Sequence, residues 1–156
     1  MTTQDLIESA QRLVQPPSEV ADEFASKRER LASLGNQIMA VRPDLAKMVG
    51  KNNRAMAEDN NRNFARFMES LFFHYQPEVL AETVLWVFRA YRSHGFHTIY
   101  WPANLNMWVD MLRKELSEDA FEAVYPFYHW LIVNIPIFVA LTDAQLSKEH
   151  VNQDNC

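Results

Sequence analysis

Apolar residues in this chain return every three or four positions, and they do not alternate with polar ones over the length of a strand. Phe64, Phe67, Met68, Leu71, Phe72 and Tyr75 form one such stripe. Leu80, Val84, Val87, Tyr91 and His94 form a second, stepping by four, three, four and three. A period of about 3.6 residues gathers such positions on one side of an α-helix, and that side leaves water only when another element covers it. Three glycines in 156 residues leave few sites for the tight turns that join strands. The pattern therefore predicts an all-α chain folded as one domain of about seven helices, a size that suits a sizeable single core.

Local signals divide the helices. Thr3 is placed to cap a first helix over 4–14, and Pro16-Pro17 stops it. Ser18 is placed to cap a second helix that runs to about Val41, with Glu19, Asp22 and Glu23 near its positive end. Pro43 opens a short helix and Gly50 closes it. Helices over 53–75, over 77–94, and from Pro102 to Leu116 follow. Ser117, Glu118 and Asp119 begin a last one, which Pro126 and Pro136 should kink or split. The expected organisation is a short N-terminal helix and Pro-Pro linker over 1–17, a helical domain over 18–146, and a loose polar tail over 147–156.

Charge and motif content narrow the function. With 15 basic and 20 acidic side chains the net charge is −5, which gives no general attraction for nucleic acid or an anionic membrane. The longest apolar run, 130–141, is interrupted by Asn134 and Pro136 and is too short to span a bilayer. The N-terminus lacks the basic start and apolar stretch of a signal peptide, and the only cysteine is Cys156, so a cytoplasmic location is expected. G-x-S-x-G, the P-loop, G-x-G-x-x-G, H-E-x-x-H and Glu-x-x-His are all missing. Adjacent carboxylates such as Glu58-Asp59 and Glu118-Asp119 diverge by about 100° on a helix and do not act as a pair. The expectation is a chain that does no catalysis and has no catalytic residues.

The order and lengths of the helices, with the corner "HGFHTIY" over 94–100, resemble a globin. That corner is similar to the one between the sixth and seventh globin helices, where a His or Gly, an apolar residue (here Phe96) and a Tyr (here Tyr100) recur. Phycobiliproteins and the haem-free globin-like domains of bacterial sensors share the fold. The resemblance implies an iron-binding His about four residues before the corner His, but that position holds Ala90. It also implies a cysteine wherever a bilin is attached, and this chain has none before 156. What the resemblance leaves is a haem-free sensor or regulatory module without a cofactor. Its expected ligand pocket is built from Phe67, Leu71, His74, Tyr91, His94 and Trp108, with aromatic walls for a small apolar ligand and the two histidines for polar contacts.

Two alternatives stand beside that reading. In one, His94 or His74 holds haem iron in a gas sensor. In the other, the chain is a structural adaptor. The corner itself has a plainer interpretation, in which His94 and His97 mark a helix end and lack the further partners a zinc site needs. Trp86 falls off the inner face set by Val84, Val87 and Tyr91, and an exposed Trp is common at interfaces. A homodimer through the closing helices, and a partner signalling protein, are the expected associations.

Overall fold

In the computed structural model, which describes the backbone over 1–154 and the side chains over 1–149, the described residues form eight helices and no strand. They are α1 (Thr3–Ala10), α2 (Ser18–Ala40), α3 (Leu45–Val49), α4 (Arg54–Phe73), α5 (Pro77–Ser93), α6 (Tyr100–Glu115), α7 (Glu118–Val133) and α8 (Ile135–Asp154). The eighth arises because the expected last helix divides at Asn134, and the two parts meet at 48°. Asn134 serves both: its Nδ2 donates to Trp130 O at the end of α7, and its own carbonyl accepts from Ile137 N and Phe138 N at the start of α8. Pro136 falls in the first turn of α8, where a missing N–H leaves no bond unmade. Pro126 stays inside α7 on an exposed face, so water can serve the carbonyl it leaves free. No single helix among the described residues is long and apolar enough to cross a membrane.

Caps explain the other boundaries. Thr2, rather than the expected Thr3, caps α1, because Asp5 answers it: Asp5 N donates to Thr2 Oγ1 and Thr2 N to Asp5 Oδ2. Ser18 is the first residue of α2 and makes no cap bond; Pro17 precedes it. Ser117 does cap α7, accepting from Ala120 N at 3.3 Å. Glu23 of α2 clamps the same corner, its carboxylate accepting from Ser117 N at 2.8 Å and Ser117 Oγ at 2.7 Å.

The core is one aromatic-rich cluster. Phe72 of α4 lies edge-on to Phe24 of α2 at 5.0 Å and to Phe127 of α7 at 5.3 Å, a favoured arrangement of ring quadrupoles. Helix α2 packs closely on α4 and α6, and Gly35 allows the approach to α6; a Cβ there would sit 3.2 Å from Met107 Cε. Helix α5 packs closely on α1 and α8, more loosely on α4 and α6.

Two expected boundaries are corrected. The N-terminal segment is woven into the domain: Leu6, Ile7 and Ala10 are buried, Tyr75 Oη donates to Ala10 O at 2.6 Å, and Trp130 Nε1 donates to Ser9 Oγ at 2.9 Å. Burial of that apolar face outweighs the Pro-Pro break that suggested a separate piece. The loose tail is not seen over 147–154, which continue α8; residues 155–156, including Cys156, lie outside the described residues.

Candidate functional site

The corner over 89–100 is a helix terminus. Gly95 N donates to Arg92 O at 3.0 Å and Phe96 N to Tyr91 O at 3.1 Å, with Gly95 at φ +100°. This is the Schellman ending, in which glycine takes the left-handed position and the residue after it folds back on the helix. Phe96 does so, its ring 4.9 Å from Tyr91. Across the junction, Asn53 Nδ2 donates to Val49 O and His94 O, and His97 N donates to Met48 O. The ends of α3 and α5 are thereby tied together. The expectation that His94 lies on the inner face is overturned: helical geometry ends at Ser93, and the inward place goes to Phe96. His94 and His97 are exposed.

The loose packing of α5 against α4 and α6 leaves a cavity of about 290 Å³. Helix α4 contributes Asn60, Phe64 and Phe67; α5 contributes Val84, Val87, Phe88 and Tyr91; α6 contributes Trp101, Asn104 and Leu105. Exposed Asn63 and Trp86 stand at its open side. No acidic or basic side chain lines it. Burial pushes the Tyr91 phenol pKa upward, with the Asp59 carboxylate adding to the effect.

Of the expected pocket residues, the structure brings Phe67 and Tyr91 to this cavity. Leu71 and Trp108 are buried in the packed core beside it, and His74 and His94 stand exposed at the ends of α4 and α5. Haem held through His94 or His74 does not fit this cavity, because neither imidazole lines it. No group of three or more His, Cys, Asp or Glu among the described residues could hold a metal ion.

Behind the cavity runs a chain of amides, half-buried at Asn36 and buried at Asn61 and Asn104. Asn36 Nδ2 donates to Glu58 O, and Asn61 Nδ2 donates to Asn36 Oδ1 at 2.9 Å. Asn61 Oδ1 accepts from Trp108 Nε1 at 3.0 Å and from Asn104 Nδ2 at 2.9 Å. A backbone carbonyl can only accept and an indole N–H can only donate, so the two ends of the chain fix the orientation of every amide between them. Asn104 must therefore spend its donor on Asn61, and its Oδ1 is left without a partner in the protein. Trp101, one helical turn earlier on the same face of α6, has an unpartnered Nε1. Both residues are at least nine-tenths buried, at 3% and 5% exposure. Each such atom costs about 1–3 kcal/mol when left unsatisfied.

Sequence reasoning passed over Asn60, Trp101 and Asn104 as cavity residues. The available signal was an asparagine inside an apolar stripe, since Asn104 lies three residues after Trp101 and four before Trp108. It also passed over a second hollow of about 450 Å³ between α2 and α4, where Arg28, Arg54, Arg62 and Arg66 collect. Arg54, Glu58, Arg62 and Arg66 recur every fourth residue, a spacing that marks one helix face. Arg28 pairs with Glu69, Arg54 with Glu58 and Arg62 with Asp59, so most of that charge is compensated.

No protein-family model, no curated protein and no solved structure matches this chain.

Proposed function

We propose that the chain is a non-catalytic, globin-like sensor or regulatory module. It takes up a small apolar ligand between α4, α5 and α6 and transmits that event through a helical interface with a second copy or a partner protein. The observation that carries this reading is the aromatic-walled cavity of about 290 Å³ with no charged lining. An apolar ligand leaving water for such a wall gains about 25 cal/mol per Å² of surface buried, whereas a charged one is penalised. A bound ligand would add contacts between α5 and its loosely packed neighbours, so occupancy favours whichever position of α5 grips it best. Trp86 lies on α5 at 59% exposure, beside the open side of the cavity, so a shift of α5 is displayed at the surface.

Native mass spectrometry of freshly purified protein, paired with an absorbance spectrum, tests the reading. The expected result is a co-purified neutral small molecule and no Soret band. A Soret band, or a protein that carries nothing and gains no Tm from a panel of neutral apolar fragments, overturns it.

The exposed face of α5 favours a second reading, a ligand-free adaptor. Val79 is 39% exposed and lies seven residues, two turns, before Trp86 on the same side. Under that reading Trp86→Lys abolishes a homodimer seen by light scattering and leaves a folded monomer whose Tm no longer rises with protein concentration, with no ligand found in the parent protein.

A further inference from the structure

The outer face of α5 carries a charge order as well as its apolar residues. Val79, Glu82 and Trp86 are exposed, and Arg89 is half-buried. Val79 and Trp86, seven residues apart, lie on one line along the helix. Glu82 and Arg89, also seven apart, lie on a second line about 60° round the helix from the first. The face is thus acidic toward its N-terminal end, with Glu78 and Glu82, apolar at Trp86, and basic at Arg89. No basic residue stands three or four positions from Glu82, and Glu82 forms no ion pair among the described residues. Arg89 meets Glu149 at 3.7 Å, between side chains 39% and 50% exposed, a contact of the kind that contributes little.

A surface with that order is complementary to itself when reversed. A twofold axis that sets two α5 helices antiparallel exchanges their ends and keeps each flank on its own side. Glu82 of each copy then faces Arg89 of the other, and the two Trp86 side chains meet near the axis. A parallel pair would instead bring Glu82 level with Glu82 and Arg89 level with Arg89. We propose that α5 is a self-complementary interface, at which two copies of this chain pair antiparallel through Trp86 and two reciprocal Glu82–Arg89 ion pairs. This rests on the reading of the chain as a module that acts through a helical interface, and it names the partner and its direction. Thr83 and Trp86 also line the cavity, so the second copy lies beside its open side.

Sedimentation velocity on the parent protein, Glu82→Arg and Arg89→Glu tests the pairing. The parent is expected to dimerise. Each variant alone sets like charges against one another at both contacts, and should dimerise about tenfold more weakly. Mixed in equal amounts, the two variants again place arginine opposite glutamate at both contacts. Their heterodimer should form with a Kd within about threefold of the parent's, a rescue that damage to either fold would not produce. The double variant, with the two charges exchanged in one chain, should dimerise as the parent does, and it decides the matter where a single variant does not fold. A parent that stays monomeric at about 100 μM overturns the pairing, while the ligand reading of the cavity stands. A parent dimer that both variants retain, or that neither mixing nor the double exchange restores, overturns the α5 contact and leaves the helical interface to another face of the chain.

Discussion

The two sides of α6 use the same kinds of residue to opposite effect. Toward α2 and α4, Asn36, Asn61 and Trp108 are fully bonded, and Gly35 lets the helices close on one another. Toward α5, Trp101 and Asn104 line a cavity where the helices pack loosely, and each keeps one buried polar atom without a partner. Asn104 belongs to both sides, since its Nδ2 closes the satisfied seam and its Oδ1 faces none. The difference teaches that a buried polar residue takes its role from the distance to the next helix. At the seam an asparagine fixes how three helices register, and beside loosely packed α5 the same residue type keeps a buried acceptor unpaired.

The comparison breaks most severely at Asn61. Asn61→Leu strands Asn36 Oδ1, Asn104 Nδ2 and Trp108 Nε1 together, and should cost about 3–5 kcal/mol in chemical denaturation. Next comes the contrast in free space. Gly35→Val drives side-chain atoms into Met107 and should cost about 2 kcal/mol, whereas Val84→Leu on the cavity wall should stay within about 0.5 kcal/mol. Equal losses at the two positions would mean that the cavity side is as closely packed as the seam.

A smaller effect of opposite sign is expected at Tyr128, whose hydroxyl is buried without a partner. Tyr128→Phe removes the orphan and should raise stability by about 1 kcal/mol. Burial also raises the folded pKa of Tyr128 and of Tyr100 above the usual 10.0, for Tyr100 despite the bond from Asn60. Their contribution is therefore intact below pH 10 and declines as pH climbs beyond it, because the unfolded phenols ionise first. A pH series of denaturation midpoints should show that decline, shallower in Tyr128→Phe.

The smallest effect falls at Glu23, whose bonds to Ser117 lie just past the C-terminal end of α6. Burial opposes its ionisation, but the two bonds from Ser117 and the nearby Lys27 prevail and hold the carboxyl below its usual 4.5. The clamp is present above that pH and is lost as pH falls through the lowered folded value. Glu23→Gln should cost about 0.5 kcal/mol at pH 7 and flatten the acid limb of the stability curve.

Particular elements show where sequence reading stops. The boundaries of α5 were legible to within one residue, because Pro77 and Gly95 act on the backbone beside them. The facing of His94 was not, because extrapolating a helical stripe assumes that the helix continues, and the Schellman turn substitutes Phe96 at that point. The division at Asn134 was half legible. Pro136 announced a break, but only the amide bond back to Trp130 O shows how two helices share it. Phe67 and Tyr91 reached the cavity because their stripes face inward on long helices. His74 did not, because α4 ends one residue before it. Trp86 falls off the inner stripe in the sequence and is exposed in the structure.

By itself, then, the sequence determined that this chain is all-α and, to within about two residues, where α2 to α6 start and stop, whereas α1 ends at Ala10 instead of 14 and the last expected helix is two. Periodicity, prolines, capping hydroxyls and glycines act over a turn or less. Tertiary structure alone decided that α5 packs loosely on α4 and α6, that an amide chain joins residues 43 and 47 positions apart, and that two buried polar atoms of residues lining the gap have no partner. Those outcomes depend on distances between segments far apart along the chain. Such distances are set by how the ridges of whole helices fit together, and no local pattern records them.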